Sequence, residues 1–281
     1  QPFDVLKYDL EIDLTDYENL NANGVCTISI EWKQHSDEDK FFFHLRSLSV
    51  DSVFYQGKRV EAVEAGTPED ADYHYEIDRQ PEFSTSLIEI EVYYSGKMTQ
   101  EYCQDDMKWG GVHFQDNVAF ALGVGFHNNY VSTTQHWMPC YDHPSDKAKF
   151  HARFIVPAGK VLASNGEMKV HYLDNGTDVY EYTHDYECAA YLLGFALGEY
   201  HIFELEGADV PVLYFTQAKD SVMSKFVYQN VPKMLNYFES YLGEYPFEKA
   251  GYVNTPIGSM EHQTMISLDS YILKKAYQER D

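Results

Sequence analysis

Glu261 is the residue whose setting most needs a chemical explanation. It stands in Ile257-Gly258-Ser259-Met260-Glu261-His262-Gln263-Thr264-Met265-Ile266-Ser267. The run opens on a flexible glycine and then reads as a buried or half-buried strand, because Met260, Met265, Ile266 and Leu268 flank the acid. Removing an unpaired carboxylate from water is expensive. A Glu in such a strand is therefore either paired inside the protein or placed to meet a cation from outside, such as a substrate amine. The alternative is a Glu on the wet face of an edge strand, with no chemistry attached.

Other constellations carry less. His136, Asp142 and His143 lie close together, but two prolines interrupt them and no pair has the i,i+4 spacing of a metal-binding helix, so a structural corner is expected. Gly123-Val124-Gly125 lacks the third glycine of a dinucleotide loop. Cys26, Cys103, Cys140 and Cys188 are far apart with no C-x-x-C pair, and read as buried free thiols. Asn175-Gly176-Thr177 is a formal glycosylation sequon, but Asn-Gly is foremost a hairpin turn.

The elements that must position Glu261 belong to a chain of 281 residues, long enough for two domains. Its 21 basic against 45 acidic residues give a formal charge of -24. Such a balance argues against nucleic acid or an anionic membrane as partner, since either needs a basic face. No apolar run is long enough to span a bilayer. Gln1 is not an initiator, which points to a leader already removed and leaves export open.

Tyr8 to Leu14 alternates apolar and polar residues, and Cys26 to Trp32 does the same after an expected turn at Asn23-Gly24. Phe41 to Leu45, Val50 to Tyr55, Leu87 to Tyr94, Phe150 to Val156, Val161 to Gly166, Val179 to Thr183 and Tyr191 to Phe195 continue the series. The fold class is mainly β, an antiparallel domain of many short strands. After Gly207 the pattern changes to strand, helix, strand. Val210 to Thr216 precedes a long helix capped by Asp220 or Ser221, kinked or restarted at Pro232 and stopped by Gly243. So short an α/β segment cannot enclose its own core, and the chain reads as part of a longer one.

Seven pieces in order resemble the aminopeptidase N family of zinc metallopeptidases, the gluzincins that include leukotriene A-4 hydrolase. They are Tyr8 to Leu14, Tyr94-Ser95-Gly96, Pro139-Cys140-Tyr141-Asp142-His143-Pro144 with Lys147 and Phe150, Ala163-Ser164-Asn165-Gly166, Tyr191-Leu192-Leu193-Gly194-Phe195, Tyr245-Pro246-Phe247 and Gly258-Ser259-Met260-Glu261-His262. The resemblance implies that residues 1–207 form the family's N-terminal β saddle domain and that 208–281 begin its thermolysin-like catalytic domain. It implies that the backbone of Gly258, Ser259 and Met260 pairs with a substrate peptide while Glu261 binds the free α-amine, which makes the enzyme an exopeptidase. A β-domain Gln often assists, and its place falls at Asn128. His262 stands where many members have Asn.

The family's zinc rests on H-E-x-x-H, in which two histidines one helical turn apart share a face. None of the twelve histidines here has another four residues on, and none precedes a Glu. Zinc is thus expected in the full-length parent, held by residues beyond Asp281, with none bound catalytically by this chain. The expected partners are peptides with a free N-terminus. Two other readings compete, a non-catalytic peptide-binding or adaptor protein on the same fold and a β-sandwich carbohydrate-binding module. The acid at 261 disfavours the first and the ordered motifs disfavour the second.

Overall fold

The computed structural model describes residues 1–33, 39–83, 85–101, 109–126 and 132–279. The alternation in Tyr8 to Leu14 delivers the expected face, with Tyr8, Leu10, Ile12 and Leu14 all buried. A register shift between Val5 and Lys7 resets the phase, which is why odd-numbered Phe3 and Val5 are buried on the same strand, Phe3–Asp13.

That strand lies inside an eight-stranded sheet. The spatial order is Glu167–Asp174, Thr177–Cys188, Ala148–Pro157, Phe3–Asp13, Asn21–Trp32, Leu87–Lys97, Leu48–Tyr55 and Lys58–Val60. Neighbours run antiparallel except Phe3–Asp13 and Ala148–Pro157, which pair in parallel. Two sequence expectations are corrected here. Asn23-Gly24 is not a turn but the interior of Asn21–Trp32, where a Cβ on Gly24 would lie 2.4 Å from the carbonyl of Glu11. Tyr191 and Leu192 belong to a single 3-10 turn, and the strand begins at Phe195. Asn175 and Gly176 do form the tight hairpin turn, both with positive φ.

A smaller sheet orders Val161–Ser164, Phe195–Gly198, Val118–Ala121 and Val112–Gln115. Between it and the large sheet lies an aromatic core in which Trp137 meets Phe150 and Phe195 edge-on at 6.3 and 5.3 Å. Cys26, Cys140 and Cys188 are free and buried, while Cys103 lies outside the described residues.

A further sheet is mixed. Tyr200–Leu205 pairs antiparallel with Val212–Gln217, which then runs parallel to Ala250–Thr255, itself parallel to Ile266–Asp269. The first of these parallel pairs is joined by a crossover that carries helices α1 (Ser221–Tyr228) and α2 (Val231–Leu242). Pro232 sits in the first turn of α2, so it restarts the helix, and Gly243 ends it at φ +93°. Asp220 holds the N-cap position of α1 without a side-chain capping bond, because its backbone (φ -106°, ψ -3°) is already close to helical as it leaves a 3-10 turn. Helix α3 (Ser270–Gln278) follows the last strand and returns to α1, Tyr277 meeting Phe226 edge-on.

The two sheet systems share apolar contacts. Phe120 of the smaller sheet and Leu122, just past the end of its strand, pack with Phe215, Val253, Met260 and Met265 of the mixed-sheet region. Each such buried side chain contributes about 1.5–3 kcal/mol, and two of them flank Glu261.

Candidate functional site

The segment from Thr255 to Ile266 connects two parallel strands as a loop with little freedom. Gly258 has φ +74°, and a Cβ there would come 2.5 Å from Leu122 Cδ1. Its N–H donates to Asp269 Oδ2 (3.1 Å) and its carbonyl accepts from Thr255 Oγ1 (2.9 Å). The N–H of Asp269 in turn donates to Ser259 Oγ (2.9 Å). Met260 and Ser267 exchange both backbone hydrogen bonds, at 3.1 and 2.9 Å.

The expected buried strand through Glu261 is corrected. Beyond the Met260 bridge the chain turns at Gln263 and Thr264, with Thr264 at φ +66°. A continuous strand would send Met260 and Met265, five positions apart, to opposite faces. The turn brings both into one core, at 7% and 1% exposure. Glu261 is consequently exposed rather than buried, the only exposed side chain from Gly258 to Ser267. Among the described residues no hydrogen bond or ion pair reaches it.

His262, the next residue, points inward. Its Nε2 donates to the carbonyl of Leu122 (2.8 Å), and its Nδ1 lies 3.2 Å from Ser267 Oγ. Burial pushes the imidazole down to about 4, so it is neutral at pH 7. It contributes an anchor, and the charge of the loop is Glu261 alone.

Glu261 opens on a cleft of about 490 Å³ at the seam between the sheet systems. Lys147, Glu187 and Tyr191 of the β part line it together with Tyr245, Phe247 and Glu261. The lining carries two carboxylates against one ammonium, a balance that favours a cationic group. Sequence reasoning pointed to none of Lys147, Glu187, Tyr245 and Phe247 as cleft residues, because a shared wall between distant segments leaves no local pattern.

The backbone of the predicted site residues divides unevenly. Met260 spends its N–H and C=O on Ser267, and both groups of Gly258 are engaged. Ser259 and Glu261 have no backbone partner among the described residues. In an extended chain successive residues address opposite edges, so with Met260 turned to Ser267 these two face the other way. Asn128 lies outside the described residues.

Comparison with known proteins agrees with this architecture. Residues 5–192 match the peptidase M1 N-terminal domain. Probable aminopeptidase 1 of Sulfurisphaera tokodaii is 23% identical over 252 residues, covering 87% of this chain and 28% of that protein. Leucyl aminopeptidase of Saccharolobus solfataricus is 25% identical over 251 residues, with the same coverage of each. The chain thus spans between a quarter and a third of these relatives. In fold it is similar to an M1 zinc metallopeptidase of Deinococcus radiodurans bound to a Tyr-Ser-Ala substrate, with a TM-score of 0.79 at 18% identity, covering 99% of this chain and 63% of that one. With two thirds of its length matched to that domain, the chain belongs to the peptidase M1 family.

Proposed function

We propose that this chain is the N-terminal portion of a zinc-dependent aminopeptidase and that it supplies the part of the site that recognises a free peptide N-terminus. The observation that carries the reading is the loop at 258–267, tied to Leu122, Asn165, Gly166 and Asp269 and presenting one exposed carboxylate, Glu261, into a cleft with an excess of negative charge. An incoming peptide adds as a strand to the open edge at Ser259 and Glu261, and its α-ammonium meets the Glu261 carboxylate. Gly258 and Met260 shape the loop, and Asn128 is proposed as a second amine ligand. A chain interior has no ammonium to offer, which restricts the enzyme to the end of its substrate.

Among the described residues no group of three His, Cys, Asp or Glu side chains gathers to hold a metal. The described residues do not fit a zinc site. Division into units at 207 and 208 is likewise proposed, with the strand Tyr200–Leu205 crossing to join the second unit's sheet.

The test is binding selectivity in the full-length protein. An amino-acid amide with a free amine is titrated beside its N-acetyl analogue. Preference for the free amine that disappears in Glu261→Gln supports the reading, and equal affinities in the unmodified protein sink it.

A further inference from the structure

Asn165 does not itself line the cleft, yet it is fully buried and spends its whole amide on the loop that carries Glu261 and on that loop's support. It follows the strand Val161–Ser164 of the smaller β sheet. Its Nδ2 donates to the carbonyls of Leu192 (2.8 Å) and Gln263 (2.6 Å), and its Oδ1 accepts from the N–H of Gly194 (2.8 Å). The neighbouring N–H of Gly166 donates to Thr264 Oγ1 (2.7 Å). One turn of the β part therefore grips both residues of the Gln263-Thr264 turn. Only His262 separates that turn from Glu261, and His262 is itself tied to Leu122 of the β part.

Met260 and Met265 already hold the segment to the core by apolar burial, but apolar contacts resist separation more than sliding, and they leave the direction of an exposed side chain loosely set. Directional hydrogen bonds to the Gln263 carbonyl and the Thr264 hydroxyl fix the peptide planes next to Glu261. They also refer its position to the β part, which supplies the Lys147, Glu187 and Tyr191 wall of the same cleft. Gly194 serves this arrangement as well, since a Cβ there would meet the His262 Nε2 at 3.0 Å and the Ala121 carbonyl at 2.7 Å.

We infer that Asn165 is a positioning residue that sets where the Glu261 carboxylate stands in the cleft. The inference rests on the reading of Glu261 as the amine anchor. Asn165→Asp keeps the size and the acceptor for Gly194 but replaces both donated hydrogen bonds by an acceptor facing two carbonyls. The turn must then move, and a shift near 1 Å in a positioned group can weaken its action by about a hundredfold.

The experiment is a double-mutant cycle on the full-length protein at pH 8, with Asn165→Asp, Glu261→Gln and their combination. It reads the ratio of affinities for L-leucinamide and N-acetyl-L-leucinamide. We expect the ratio to fall about tenfold or more in Asn165→Asp, and the combination to be no worse than Glu261→Gln alone. A purely structural role would weaken both ligands together. A ratio unchanged in Asn165→Asp, or losses that add in the combination, overturns the inference while leaving Glu261 in place. A ratio unchanged in Glu261→Gln instead removes the anchor itself. Should Asn165→Asp fail to fold, Thr264→Val removes the hydroxyl that accepts from Gly166 while keeping the side chain's shape, and carries the same test with the same outcomes.

Discussion

Replacing Lys249 by Met should change stability in opposite directions at low and high pH. Lys249 is 3% exposed at the seam between the two sheet systems. Its Nζ donates to the carbonyl of Ser164 (2.8 Å) and lies 4.9 Å from the centre of the Tyr182 ring. Burial drives the amine down to about 7, against the opposing pull of the Glu248 and Glu167 carboxylates. In the unfolded chain it titrates near 10.5. Between those limits the unfolded chain holds a proton that the folded chain gives up, so stability rises with pH through the window, and the penalty is complete below about 7. At ~1.36 kcal/mol per pH unit, the gap from 10.5 to about 7 is about 5 kcal/mol. Met keeps the stem without the charge but leaves the Ser164 carbonyl unpaired, at about 1–3 kcal/mol. The variant should therefore be more stable than the parent chain by roughly 2–4 kcal/mol at pH 6, and the advantage should vanish or reverse by about pH 10. Urea unfolding of both proteins at the two pH values measures this, and the difference between them cancels other titrations. The same difference at pH 6 and pH 10 would show that Lys249 keeps an ordinary titration in the folded state, and the argument from burial would fail.

Three further outcomes are expected. Glu261→Gln in the full-length protein should keep the fold and lower kcat/KM on substrates with a free amine by roughly thirtyfold to a few thousandfold, as loss of one partner of a charge pair that the bound peptide desolvates does; kinetics within threefold of the parent would place Glu261 outside the site. Gly258→Ala forces a Cβ into a left-handed backbone position 2.5 Å from Leu122 Cδ1, and urea unfolding should show a loss of ~1–3 kcal/mol. The 281-residue chain by itself should bind no stoichiometric catalytic zinc and hydrolyse no aminoacyl anilide; one tight zinc per chain with turnover would overturn the reading of its role.

The strands were legible because their signal is local. Alternation in Tyr8 to Leu14 needs only a two-residue period and one dry face. Pro232 and Gly243 mark the start and end of α2 because each restricts or frees its own backbone. The failures share one cause. Asn23-Gly24 has the composition of a turn, yet Gly24 is glycine because the neighbouring strand comes within 2.4 Å of where its Cβ would be. Nothing within a few residues of Gly24 in the chain reports that approach.

The same division holds at the site. Sequence by itself determined that one acid, Glu261, interrupts an apolar run after a glycine, that no histidine pair with metal-binding spacing exists, and that the ordered motifs resemble a peptidase family. Tertiary structure decided that the run is a pinned loop rather than a strand and that Glu261 faces outward. It also decided that the open backbone groups belong to Ser259 and Glu261 rather than Met260. These depend on Leu122, Asn165 and Gly166, roughly 100 to 140 residues away in the chain, whose hydrogen bonds and packing fix the turn at Gln263 and Thr264. A period in the sequence records which side chains avoid water along one element, whereas the aim of a single carboxylate is set by whichever distant groups hold the peptide planes beside it.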